Sequence, residues 1–366
     1  MHRIENPCNF CPLGHGAVCI ILPDIFHSEI FIQIKHQTAN RMRRAAMNKK
    51  TQRRKGTVPI FFAVDDRYAP YLAVTIRSLI DNASSDYDYA IRILIDRLSE
   101  ENQNALSSMS TDRVSVEFVN VTEKMDRLGG MLHLRDYYTK ATYYRFFIPD
   151  LFPNWKKGIY LDSDLLILGD ISELYRVQLG RRLLAAIPDE VIANEPVFGQ
   201  YSEKVLGVPY DEYFNAGVLL MNLEELRREK IETEFVHLLG LVTYRVAQDQ
   251  DYLNVITYGR NRLLPTRWNR TAYPDSPMES NGILHFKLHY KPWHTDNALG
   301  DALFWQYADR TSYAKQLHEQ RATYSDADRA ADIHGYEELM KLAASEIEKA
   351  EEDGSGVLVP YRLGEV

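Results

Sequence analysis

The sequence predicts an α/β protein built on a parallel, nucleotide-binding-type sheet. Three observations predict it. Apolar, strand-like runs alternate with helix-like segments from Val58 to Val119, the pattern of parallel strands joined by helical crossovers. The first run ends in Asp65-Asp66. A later run, Gly158 to Asp170 (Gly-Ile-Tyr-Leu-Asp-Ser-Asp-Leu-Leu-Ile-Leu-Gly-Asp), carries Asp162 and Asp164 in otherwise almost wholly apolar company. Ligands of such sheets bind at the carboxyl ends of the strands, so two acidic strand ends in one crevice fit a metal-assisted nucleotide site.

Residues 1–56 lack sustained periodicity and end in a basic run of Arg41, Arg43, Arg44, Lys49, Lys50, Arg53, Arg54 and Lys55. They read as a disordered leader, or as sequence ahead of a true start at Met47; the other reading is a weak membrane-surface contact to anionic lipid. Cys8 and Cys11 form a single CxxC, with Cys19 beyond, and no second pair or spaced histidine pair completes a zinc site. Such low cysteine use suggests a reducing, cytoplasmic home. The stretch Ala17 to Ile34 is broken by Pro23, Asp24, His27 and Glu29, too interrupted to span a bilayer or to serve as a signal peptide.

Order begins at Val58. Val58 to Val64 reads as a buried strand, and Tyr71 to Asp81 as a helix with Leu72, Ile76, Leu79 and Ile80 on one face. Tyr89 to Ile95 is a second strand. Ser99 is a plausible N-cap, with Glu100 and Glu101 in the first turn, for a helix to about Ser108. Val114 to Val119 is a third strand, and Thr142 to Leu151 a helix. The Gly158 run reads as one buried strand, short, rich in Ile and Leu, and bounded by glycines. Positions i and i+2 of a strand face the same side, so Asp162 and Asp164 point together. Two like charges leaving a core strand are costly without a positive partner, and Mg and Mn favour carboxylate oxygen plus substrate phosphate. Tyr213 to Asn222 is a further strand, Leu223 to Leu239 a charged amphipathic helix, and Gln248 to Ile256 another helix. From about 325 the chain is polar and acidic, with a helical pattern from Tyr336 to Glu351. An ordered domain over 57–310 and a helical acidic extension over 311–366 follow.

Composition agrees. The 366 residues suffice for one large domain or two small ones, and a hydrophobic content of 45% supports a real core. The 23 tyrosines suit stacking on bases or sugar rings as well as ordinary half-buried packing. A net charge of −8 argues against broad affinity for nucleic acid.

Six blocks in order now point to a family: Phe-Ala-Val-Asp-Asp-Arg-Tyr at 62–68, Thr-Tyr-Tyr-Arg at 142–145, Tyr-Leu-Asp-Ser-Asp at 160–164, Phe-Asn-Ala-Gly-Val at 214–218, Asp-Gln-Asp-Tyr-Leu-Asn at 249–254, and His-Phe…Lys-Pro-Trp at 285–293. The chain resembles glycosyltransferase family 8, the retaining enzymes that include bacterial lipopolysaccharide galactosyl- and glucosyltransferases and glycogenin. The resemblance runs from about Pro59 to Trp293. It implies a GT-A fold, a single Rossmann-like mixed sheet flanked by helices, which binds a UDP-sugar and a divalent cation, Mn2+ or Mg2+.

By the resemblance, Asp162, Asp164 and His285 are metal ligands, with Asp162 also near the ribose and Ser163 in the donor-binding set. Asp65 accepts from the uracil edge, Ala63 and Tyr68 line the base pocket, and Arg145 and Lys291 neutralise phosphate charge. Asp249, Asn215 and Asp189 hold sugar hydroxyls. The position of the candidate nucleophile is Gln250, a poor nucleophile. The resemblance therefore implies a front-face mechanism, in which the β-phosphate oxygen of the leaving UDP helps deprotonate the acceptor and Gln250 steadies the oxocarbenium face. Two positions depart from the family pattern: Leu288, where glycine is usual, and Arg67, often asparagine. The acidic tail departs as well. The expected function is transfer of glucose or galactose from a UDP-sugar to a saccharide, glycolipid or glycoprotein acceptor in bacterial surface synthesis, in the cytoplasm or at the inner face of the membrane. The alternatives are a glycogenin-like self-glucosylating enzyme and a catalytically silent nucleotide-sugar binder.

Overall fold

The computed structural model describes residues 54–133 and 139–352. The CxxC, Met47, most of the basic run and the tail beyond Glu352 lie outside the described residues. From Arg54 onward the chain clusters as one compact unit.

Strands β1 (Thr57–Ala63), β2 (Asp88–Ile95) and β3 (Val114–Asn120) pair in parallel, and β1 also pairs in parallel with β4 (Gly158–Leu161). Strand β5 (Leu165–Ile167) leaves this sheet, which continues through β6 (Leu184–Pro188), β7 (Phe214–Met221) and β8 (Asn261–Leu263). The order is β3-β2-β1-β4-β7-β6-β8, with β7 antiparallel to both its neighbours. Every residue of β7 is buried, as a central strand covered on both faces requires. The result is the expected mixed sheet flanked by helices. Beside it stands a second sheet of three strands, β5-β10-β9, where β9 is Arg270–Thr271 and β10 is Ile283–His285.

The helices follow local chemistry. Ala69–Asn82 buries Leu72, Ile76 and Leu79, the 3.6-residue stripe that the sequence announces. Ser99 caps Glu100–Ser107 by accepting from the Asn102 amide, as expected. The longest helix, Asp326–Glu352, buries Leu339, Ala343 and Ile347 and packs on the Pro196–Lys204 helix. No helix among the described residues is long and apolar enough to cross a membrane.

Three expectations are corrected. The segment Thr142 to Leu151 is a tighter 3₁₀ stretch, Lys140–Phe147, followed by the short α-helix Ile148–Leu151; Pro149 has no N–H to offer the carbonyl four residues back. The segment Leu223 to Leu239 is two helices, Leu223–Arg228 and Ile231–Leu241, divided at Lys230 in a left-handed conformation, φ 52°. The left-handed backbone at Lys230 makes the break, since a continuous right-handed helix cannot contain it. The run from Gly158 is two strands in different sheets, so Asp162-Ser163-Asp164 occupies the turn between them. Charged carboxylates leave the ladder where an apolar strand would have carried on.

Uncharged bonds hold that turn. The Thr75 hydroxyl, buried in the Ala69–Asn82 helix, lies 2.9 Å from the Ser163 carbonyl and 2.8 Å from that of Leu165, and accepts from the Leu165 amide. Asp162 N donates to Gly217 O at 2.8 Å, and Phe286 N to Asp164 O at 3.1 Å. Thr75→Val keeps the side-chain shape and strands buried polar groups, so it is expected to cost about 1–3 kcal/mol in denaturant unfolding. An unchanged midpoint would mean that the hydroxyl does not hold the turn.

Candidate active site

The turn between β4 and β5 brings Asp162 and Asp164 against His285 at the end of β10. One ligand atom from each of the three lies within 4.8 Å of the others. The His285 ring is buried, with Nε2 at 3.2 Å from Asp164 Oδ1 and 3.8 Å from Asp162 Oδ2. Which ring nitrogen carries the proton follows from a chain of amides. Gly217 N donates to Asn215 Oδ1 at 2.9 Å, fixing that oxygen as an acceptor. Asn269 Nδ2 donates to the same oxygen at 2.8 Å. Asn269 Oδ1 therefore faces His285 Nδ1 at 2.9 Å, and an oxygen there calls for a proton on Nδ1. In the neutral ring the Nε2 lone pair then points at two carboxylates. Three electron-rich atoms converging in this way fit a divalent cation held by one imidazole and two carboxylates.

Space for this convergence comes from Gly217 in β7. A Cβ there would lie 2.3 Å from His285 Cε1 and 2.7 Å from Asp162 Oδ2. Tyr160 Oη donates to Asp162 Oδ1 at 2.9 Å. Lys291 Nζ donates to Asp164 Oδ2 and to the Phe286 carbonyl, both at 2.7 Å. Burial alone would raise the Asp164 carboxyl, but the Lys291 ammonium beside it holds it well below the usual carboxylate range.

Behind the turn lies a buried polar hub. Asp189 caps the Glu190–Asn194 helix through the Val191 amide and accepts from Asn215 Nδ2 at 2.8 Å and Gln250 Nε2 at 3.1 Å. Gln250 Oε1 accepts from Asn215 Nδ2 at 3.0 Å and from the Ala216 amide at 2.9 Å. Arg145 is buried, with Nη2 at 3.1 Å from Asp162 Oδ1 and Nε at 3.1 Å from Asp249 Oδ2, while Nη1 donates to the Ala216 carbonyl. Its guanidinium is thus turned to protein groups. Burial pushes the Asp249 carboxyl up to about 7, with Arg145 only partly opposing it. Burial would likewise raise Asp189, but the charge of Lys287 and the three hydrogen bonds keep it lowered.

At the β1 end, Asp65 Oδ1 accepts from the amides of Arg67 and Tyr68, both at 3.1 Å, heading the Ala69–Asn82 helix. The exposed Arg67 side chain reaches Asp65 Oδ2 at 3.5 Å. Ser163 Oγ donates to the Ala63 carbonyl at 3.1 Å, and Lys291 Nζ lies 6.0 Å from the centre of the Tyr68 ring. Leu288 takes φ 54°, the left-handed conformation that glycine adopts freely and leucine holds at a cost of about 1–2 kcal/mol.

All thirteen residues nominated from the sequence line one cleft: Ala63, Asp65, Tyr68, Arg145, Asp162, Ser163, Asp164, Asp189, Asn215, Asp249, Gln250, His285 and Lys291. Its apolar lining includes Val191, Ile192, Phe198, Val246, Leu288 and Leu339. Residues 59–297 match the family model described as glycosyl transferase family 8.

The chain belongs to glycosyltransferase family 8.

Relatives of this glycosyltransferase include general stress protein A of Bacillus subtilis (strain 168), 28% identical over 262 residues, covering 65% of this chain and 87% of that protein. The lipopolysaccharide 1,3-galactosyltransferase of Salmonella typhimurium is 25% identical over 251 residues, covering 64% of this chain and 73% of that one. Among solved structures, the galactosyltransferase LgtC in complex with donor and acceptor sugar analogs is similar with a TM-score of 0.59 at 27% identity, over 70% of this chain and 96% of LgtC. The bifunctional glycosyltransferase WbbM, in its apo form, gives 0.64 at 25% identity over 74% of this chain and 52% of WbbM, so the chain spans about half of that protein. The GT-A fold is the fold of this family 8 chain.

Among the residues in or beside the cleft that were not nominated are Tyr160, Lys287 and Asn269. Tyr160 stands in β4 two positions before Asp162, and strand spacing was the available signal; Lys287 lies past the end of β10 and carried none. Asn269 follows a 3₁₀ turn and has no sequence pattern.

Gly217→Ala is expected to fold, since its strand is otherwise unchanged, and to lose most of any manganese-induced rise in melting temperature. A full rise in the variant would count against the close packing of His285 and Asp162. Asp249 binds a proton more readily folded than unfolded, so its contribution to stability falls as pH rises from the ordinary aspartate range to about 7. Asp249→Asn should match the wild type near about pH 4 and become the more stable protein by about pH 8; parallel pH–stability curves would refute this.

Proposed function

We propose that the chain is a retaining hexosyltransferase that moves glucose or galactose from a UDP-sugar to an acceptor hydroxyl. The observation that carries this reading is the convergence of Asp162, Asp164 and His285, with the His285 lone pair turned into the group and Lys291 alongside. A divalent cation held there, Mn2+ or Mg2+, supplies positive charge to a departing diphosphate. Lys291 adds a second positive charge from a buried position, where it acts strongly. Ala63, Tyr68 and Asp65 receive the uracil.

The sugar then lies over Asp189, Asn215, Gln250 and Asp249. Retention through a covalent intermediate needs a free carboxylate on the far face of the sugar. Among the described residues here, both Asp189 oxygens already accept hydrogen bonds, Asp249 is buried against Arg145, and Gln250 is an amide. This supports front-face transfer: a β-phosphate oxygen of UDP takes the acceptor proton as the glycosidic bond to UDP breaks and the new one forms on the same face. Arg145 and Tyr160 orient Asp162 rather than touch phosphate. The lipopolysaccharide galactosyltransferase among the relatives supports a bacterial surface glycan or glycoprotein as product, made in the cytoplasm or at the inner face of the membrane.

The test is UDP release from a panel of UDP-sugars with and without manganese, beside calorimetric UDP binding. Asp164→Asn and His285→Ala are each expected to lower metal-dependent turnover on the order of 100-fold or more while leaving the fold intact. Full activity in either variant, or a wild-type protein that binds no UDP, would sink the proposal.

A further inference from the structure

Lys287 is buried, with 8% of its surface exposed, and lines the cleft. Its ammonium makes no hydrogen bond within the described protein. The carboxylate beside it, Asp189 Oδ1, lies 3.8 Å away, too far for a hydrogen bond. Asp189 feels its charge but not its hydrogens, since the carboxylate oxygens accept from Val191, Asn215 and Gln250. A buried ammonium with unmet donors is costly unless a ligand meets them. Lys291, four residues on, differs: it is bound to Asp164 and to a carbonyl. The chain between the two lysines turns through Leu288 with φ 54°, and the two ammonium groups meet different carboxylates, Lys291 at Asp164 and Lys287 near Asp189.

We propose that Lys287 binds the transferred sugar, donating an N–H to a hydroxyl oxygen that also contacts Asp189. The separation of 3.8 Å is too long for a direct bond and short enough for one hydroxyl to touch both groups at about 2.8 Å. Such a hydroxyl accepts from the ammonium and donates to the carboxylate, which makes the pair sensitive to the presence and configuration of that hydroxyl. Lys287 is thus a donor-sugar specificity residue. The proposal rests on the UDP-sugar reading above.

The test compares wild type with Lys287→Met, which keeps the length and packing of the side chain. Binding of UDP, UDP-glucose and UDP-galactose is measured by calorimetry in manganese. UDP affinity is expected to stay within about twofold, while affinity for the preferred UDP-sugar falls about 10-fold or more, as loss of a charged hydrogen bond does. Equal losses for UDP and UDP-sugar would make Lys287 a phosphate contact and overturn the sugar assignment. No loss for either would leave only a water between Lys287 and Asp189 and would equally overturn that assignment. Should the methionine variant unfold, Lys287→Gln replaces it with the same expected split. A wild-type protein that binds no UDP overturns the glycosyl-transfer reading itself, whereas wild-type UDP binding without the split overturns only the role of Lys287.

Discussion

The site depends on one constraint: two carboxylates must leave a sheet whose neighbouring residues are wholly buried, and they must leave it together. The chain meets this by stopping β4 at Leu161 and restarting as β5 in another sheet. The turn between is tied by backbone and hydroxyl hydrogen bonds to four places in the chain, Ala63, Thr75, Gly217 and Phe286. None of these ties carries charge, so none competes with what the carboxylates are there to bind. The small sheet exists on these terms. Strand β10 pairs with β5, and that pairing delivers His285 to the turn.

Around this turn the protein uses amides where many sites use charges. Asn215, Asn269 and Gln250 pass hydrogen bonds between His285, Asp189 and the backbone of β7. A planar amide offers a fixed donor and a fixed acceptor, so each member dictates the orientation of the next. The sense of the network is set by two backbone N–H groups, that of Gly217 for Asn215 and Asn269 and that of Ala216 for Gln250. Three buried cations are the exceptions: Arg145 between Asp162 and Asp249, Lys291 against Asp164, and Lys287 beside Asp189.

Much of this was legible in the sequence, for identifiable reasons. The alternation from β1 to β3 is written in local periodicity, and the Ser99 cap in side-chain chemistry. Apart from Asp189, which none of the six blocks contains, the nominated residues share one cleft because those blocks sit at strand ends and helix starts along the middle of the sheet. The break between β4 and β5 was hidden because apolar residues continue on both sides of the aspartates, and periodicity cannot tell one strand from two in different sheets. Asn269 and Lys287 were hidden for another reason. Their meaning lies in partners far away in the chain, Asn215 for the one and Asp189 for the other. Leu288 was marked as a departure from glycine, yet its backbone takes the glycine-like conformation, which a one-letter comparison cannot reveal.

The long helix Asp326–Glu352 contributes a single side chain, Leu339, to the apolar wall of the cleft. Its other ties are mixed. Ala343 and Ile347 are buried, the Tyr336 ring meets Phe198 and His289 edge-on, and Lys204 and Arg245 pair with Glu351 and Glu346. Asp332 lies 2.8 Å from the ring of His294, three residues past Lys291. One helix thus braces both the apolar lining and the segment that carries Lys291, so a displacement of it would be felt at the two places together.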